Sequence, residues 1–133
     1  MPPHSRHITE SIDRPAADVY EFASDPMNIP AWAPGLGTSV EQVGGQWFVD
    51  TASGRVRVTF AERNSLGVLD HEVTLPSGDV VYNPMRVVPD GAGSEVEFIL
   101  RRRPEMSDDD FRRDAGLVQA DLTRLKHVLE GIQ

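Results

Sequence analysis

From Phe111 onward, apolar residues recur at alternating four- and three-residue steps: Phe111, Ala115, Val118, Leu122, Leu125, Leu129 and Ile132. That spacing places them on one side of a helix. Arg112, Arg113, Asp121, Arg124 and Glu130 fall on the other side, which should face water. The pattern predicts one long amphipathic helix over residues 107–132. Pro104 ends the preceding segment, Ser107 is placed to act as N-cap, and Asp110 three residues on makes a variant of the capping box. Asp108, Asp109 and Asp110 put negative charge at the positive end of the helix dipole. Gly131 suits the exit. Such a helix is marginal alone in water, so its apolar face needs a partner surface.

The rest of the chain reads mostly at period two. Residues 6–12 form a first strand, with Ile8 and Ile12 on one face. Pro15 opens a short helix with Val19, Tyr20, Phe22 and Ala23 as its apolar side. Asp25-Pro26 interrupts it, because a residue before proline avoids the helical region. A second short helical turn over 27–32 ends at Trp32, ahead of Pro34, Gly35 and Gly37. Strands follow at 40–43, 46–50, 55–62, 68–75, 80–88 and 95–103, separated by Gly44-Gly45, Ser53-Gly54, 64–67, 76–79 and 89–93. Pro84 predicts a bulge or bend within the strand 80–88. Loops this short favour an antiparallel meander. The order is therefore strand, two short helices, six strands and a long helix, and only the last helix is long enough to cover a sheet face.

Composition narrows the class. A chain of 133 residues suits one domain with a true core. A formal net charge of -8 argues against nucleic acid and against anionic membrane surfaces. The absence of cysteine excludes disulfides and thiolate chemistry. The N-terminal MPPHSRHITES lacks the apolar core of a signal peptide and no run is long enough for a bilayer, which reads as a cytoplasmic protein without membrane insertion. His4, His7, His71 and His127 show no metal-ligand spacing, and three consecutive aspartates are explained by helix capping. No phosphate loop or nucleophile elbow is present, and no cofactor or metal is expected. The strand near Val40, short and followed by Gly-Gly, is a poor pairing edge, and both monomer and homodimer fit the sequence.

The element order and four segments carry a resemblance: ITESIDRPAADVYEFASDP with Trp32 after it, NSLGVLDHEVTLPSG, NPMRVVPDGAGSEVEFIL, and MSDDDFRRDAGLVQADLTRLKHVLEG. Together they resemble the SRPBCC superfamily of START and Bet v 1-like proteins, and within it the polyketide cyclase/dehydrase-like group. The resemblance implies a single α+β helix-grip domain over residues 1–133. A curved seven-stranded antiparallel sheet would wrap the long C-terminal helix, with two short helices after the first strand closing one end of a cavity. Members bind lipids, hormones, polyketides or other apolar molecules, and some catalyse cyclisation or dehydration; the fold does not choose among these.

His71 is the foremost candidate for chemistry. It shares strand parity with Leu69, Val73 and Leu75, so it should point inward, where an imidazole acts as acid or base or orients a carbonyl. The alternative is a histidine hydrogen-bonded within the core or turned to solvent at a strand end. Asp70 should point the opposite way. Asn83 and Met85 share parity with Val81 and Val87 and are candidate lining residues, unless Pro84 shifts the register and exposes Asn83. The resemblance places Trp32 at the cavity mouth, as a ligand lid or as plain core, and Tyr20 as lining or core. Phe98, Phe111, Ala115 and Val118 are core by default and lining if a cavity exists. Arg102, in phase with Phe98 and Leu100, either reaches over the rim or answers the aspartates at the helix start. Three readings follow. The protein binds a small apolar molecule, or it is a cyclase/dehydratase-type enzyme using His71 with Asn83 or Arg102, or it is a protein-binding regulator with a filled core.

Overall fold

A computed structural model describes residues 5–34 and 37–131. His4, Gly35 and Ile132 lie outside the described residues. The first strand, β1 (Ser5–Ile12), leads into α1 (Ala16–Ala23), which starts directly after Pro15 and buries Val19, Tyr20 and Ala23. A 3-10 turn, Pro26–Asn28, follows, its start held by the Asp25 carboxylate accepting from the Met27 N–H. It runs into the one-turn helix α2 (Ile29–Trp32), where Ile29 and Trp32 are buried. Then come β2 (Ser39–Val43), β3 (Gln46–Thr51), β4 (Gly54–Phe60), β5 (His71–Thr74), β6 (Val80–Asn83), β7 (Met85–Asp90), β8 (Gly93–Arg101) and α3 (Asp108–Glu130).

All strand pairs are antiparallel. They form a five-stranded sheet in the order β2-β3-β4-β5-β6 and a three-stranded sheet in the order β1-β8-β7. This corrects the expected single sheet of seven strands. The strand expected over 80–88 divides at Pro84, which has no N–H to give to a ladder. The chain bridges the gap with other groups. The Asp70 carboxylate accepts from the Met85 N–H at 2.8 Å, and the Pro84 carbonyl accepts from the Ile99 N–H at 2.9 Å. Leu69 N–H donates to the Met85 carbonyl and Val87 N–H to the Gly67 carbonyl, so residues 67–69 run beside β7 just before β5 begins. β5 is therefore shorter than the expected 68–75, and the long hairpin bends where Asp70 faces the proline.

The long helix forms as its signals predict. The Ser107 hydroxyl accepts from the Asp110 N–H at 3.0 Å, and Gly131 exits in the left-handed conformation. Phe111, Ala115, Leu122 and Leu125 are buried. Its C-terminal half is tied to β1 and the turn after it. Glu10 accepts from Gln119 and Thr123, Lys126 donates to the Ser11 carbonyl, and the Glu130 carboxylate accepts from the Asp13 N–H at 2.7 Å. Ile12, Val49, Val58, Leu69, Met85, Val87, Val96 and Leu125 are almost wholly buried in the core. The N-terminal half of α3 instead borders open space.

Candidate functional site

That space is a cavity of about 270 Å³ between the N-terminal half of α3 and the inner face of the sheets. Its wall is assembled by strand parity. His71, Val73 and Leu75 come from β5 and the residue just past it, Val81 and Asn83 from β6, and Phe98 and Leu100 from β8. Trp32 and Ala33 close one end at α2, and Val118 and Leu122 form the helix side with Met106 beside them. Arg101, Arg103, Asp114 and Asp121 supply its charged border, where Arg101 and the neighbouring Leu117 are exposed. The wall is mostly apolar, with a few polar groups converging on it, which is the composition of a small-molecule site.

His71 is buried and points inward, in phase with Val73. Its Nδ1 lies 3.0 Å from the Leu69 carbonyl. A carbonyl only accepts, so Nδ1 carries the proton, and in the neutral ring Nε2 is the lone-pair nitrogen. The imidazole is held in place by Phe60, 5.2 Å between centroids, and by the edge of Phe98 at 5.8 Å. Burial pushes its pKa below the ordinary value; the bond to Leu69 and the charge of Asp70 oppose the shift without reversing it.

A pH dependence follows. The unfolded ring titrates near 6.5 and the folded ring lower, so the unfolded chain binds more protons between the two values. His71 should therefore cost no stability above about pH 6.5, and stability should fall as pH drops below it, levelling once the folded ring also protonates. Replacing His71 with Gln is expected to remove that contribution. Urea unfolding of both proteins between about pH 7.5 and pH 5.5 measures it, and identical pH slopes would contradict it.

Asp70 points the other way, as its parity requires, and there it has a structural task that sequence reasoning missed. It accepts from the Tyr82 hydroxyl at 2.7 Å and from the Met85 N–H. The signal was a carboxylate opposite a proline gap. Its effect on the cavity is indirect: it fixes the bend while Asn83, one residue before the proline, keeps its pairing with His71.

Of the expected site residues, Trp32, His71, Asn83, Phe98 and Val118 line the cavity. Tyr20, Met85, Phe111 and Ala115 do not. The Tyr20 hydroxyl accepts from the Asn64 N–H at 3.0 Å, and its ring lies under the Arg63 guanidinium, beside a separate groove between α1 and the loop at residues 63–67. Met85 follows the proline and is sealed beneath the sheet, only 1% exposed. Phe111 is buried beneath the Arg102 guanidinium and Ala115 is packed into the core. Arg102 is itself engaged by Asp108 and the Met106 carbonyl, so Arg101 and Arg103 rather than Arg102 border the opening. Asp121, expected on the water face, reaches that border too. The strand lining beyond the expected set, Val73, Leu75, Val81 and Leu100, had the right parity all along. Asp114 had a signal only as the residue one turn before Val118. Burial pushes its carboxyl upward, helped by Asp110 and opposed by Arg103 and Arg113.

Two antiparallel sheets and one long C-terminal helix, with a largely apolar cavity between them, make an α+β fold consistent with a helix-grip. Residues 5–130 match the family described as polyketide cyclase / dehydrase and lipid transport, and the chain belongs to that family. No curated protein matches it by sequence. Among solved structures, DynU16 from the dynemicin biosynthetic locus superposes with a TM-score of 0.70 at 16% identity, over 97% of this chain and 48% of its own. The chain thus spans about half the length of DynU16. Ara h 8.0201 gives 0.67 at 14% identity, over 96% and 98% of the two chains. The Aha1 dimer from Colwellia psychrerythraea gives 0.73 at 13%, over 95% and 96%. At these identities the likeness establishes the fold.

Proposed function

We propose that the protein binds a compact, largely apolar small molecule in the cavity beneath α3. The observation that carries this reading is the void itself: about 270 Å³ walled by Trp32, Val73, Val81, Phe98, Leu100 and Val118. It lies just below the roughly 300–1,000 Å³ usual for drug-sized ligands, so a molecule smaller than these is favoured. The family description, which joins cyclase/dehydrase activity with lipid transport, supports a ligand without choosing it. The void speaks against a regulator with a filled core. It is also compatible with a second reading, a cyclisation or dehydration in which His71 exchanges a proton with the ligand. The feature favouring that reading is a buried, neutral imidazole whose Nδ1 is held by Leu69. Among the described residues no helix is long and apolar enough to cross a membrane.

Thermal unfolding against a panel of lipids, aromatics and polyketides tests the binding reading. A ligand at about a hundred times its Kd stabilises by about 2.7 kcal/mol. For a domain of this size the expected rise in Tm is roughly 3–5 °C for each kcal/mol. Replacing Val118 with Phe, which fills the cavity from the helix side, should abolish the rise. A flat response across the whole panel would count against binding.

A further inference from the structure

Away from its charged border the cavity wall has one polar spot, and its chemistry selects a ligand group. His71 on β5 and Asn83 on β6 are direct cross-strand partners, and both line the cavity. Directly opposed side chains on neighbouring strands start about 4.5–5.5 Å apart at Cβ, close enough to grip one ligand atom between them. Around them the wall is apolar: Val73, Val81, Phe98 and Leu100. Nδ1–H of His71 donates to the Leu69 carbonyl, which leaves Nε2 as an acceptor without a partner among the described residues. Among the described residues, the polar side-chain atoms that are both sealed and unpartnered are Trp32 Nε1, Arg57 Nε and Ser94 Oγ. His71 Nε2 and the Asn83 amide are not among them, and both residues line the cavity. The indole N–H of Trp32 is closed off, so Trp32 offers a ligand only carbon atoms of its ring.

We propose that His71 and Asn83 together form a subsite for a hydroxyl group, phenolic or alcoholic, carried by a compact apolar ligand. The ligand O–H donates to His71 Nε2, and the hydroxyl oxygen accepts from the Asn83 amide N–H. A hydroxyl is the smallest group that meets both demands with one atom. A hydrocarbon leaves both protein groups unmet in an apolar wall, which costs binding. A bare carbonyl satisfies Asn83 and leaves Nε2 facing a lone pair. A carboxylate has no proton to give Nε2 and brings an unpaired charge into the wall.

The inference rests on the cavity being a ligand site, and a matched trio of probes separates the two. Equilibrium dialysis at about pH 7.5 with 2-naphthol, 2-methylnaphthalene and 2-naphthoate compares three groups on one body. For the natural sequence, 2-naphthol should bind roughly tenfold more tightly than either of the others. Replacing His71 with Phe, or Asn83 with Leu, should abolish the preference for 2-naphthol over 2-methylnaphthalene. Circular dichroism identifies a variant that does not fold, and the other then decides. Equal binding of 2-naphthol and 2-methylnaphthalene, or a preference that survives in a folded variant, overturns the hydroxyl subsite and leaves cavity binding standing. Binding of none of the three overturns cavity binding and the subsite with it.

Discussion

Replacing Leu122 with Ala is expected to lower the unfolding free energy by about 2–5 kcal/mol, the range for a buried leucine. Leu122 is fully buried on α3, and one side of it forms part of the cavity wall. Truncation therefore removes apolar contacts to the core and merges the new void with the existing one. The surroundings have little means to collapse, because the C-terminal half of the helix is tied to β1 through Glu10 and Ser11 and to the following turn through Asp13. The same variant should admit bulkier ligands than the natural protein. Urea denaturation gives the stability, and a loss below about 1 kcal/mol with an unchanged m-value would contradict the packing.

The second large effect is expected at Gly67, outside both the cavity and the long helix. Its φ of 73° is a left-handed conformation, costing a residue with a side chain about 1–2 kcal/mol. More severely, a Cβ there would lie 2.1 Å from the Val87 carbonyl oxygen. That neighbour is backbone, and the Val87 N–H donates to the Gly67 carbonyl at 2.9 Å. Relieving the clash means breaking the bond that holds the loop against β7. Replacing Gly67 with Ala should therefore cost at least about 3 kcal/mol. Gly78 supplies the control. Its φ of 92° is also positive, yet an added Cβ meets nothing within 4 Å. Its Ala variant should show the conformational cost alone, and equal losses at the two sites would sink the clash.

Both effects bear on the proposed site. Leu122 sets the cavity volume, and the 67–69 segment held by Gly67 leads directly into His71. The Leu69 carbonyl that fixes the His71 tautomer belongs to that segment. A loosened loop would free the ring to turn, so the proposed recognition at Nε2 would depend on Gly67.

What the sequence determined by itself was whatever depends on neighbours along the chain. The alternating four- and three-residue steps from Phe111 placed α3, and Ser107 and Gly131 marked its ends. Strand parity put His71 inside and Asp70 outside, and it grouped Val73, Val81 and Phe98 on the inner face. These are local properties, since a side chain's direction follows from the backbone that carries it. The tertiary structure decided what depends on several elements at once. Pro84 announced a bend, yet only the packed sheets show Asp70 standing in for the lost partner and the ladder dividing into eight strands. Parity also treated Met85 and Asn83 as equals; the bend at Pro84 sealed one and left the other beside His71. Phe111, Ala115 and Val118 share a helix face, but only Val118 meets a void. Arg102, rather than bordering the opening, is taken up by Asp108. Whether an inward residue meets a void or a neighbour depends on the volumes and positions of all the groups around it, and those are set when the helix and sheets come together.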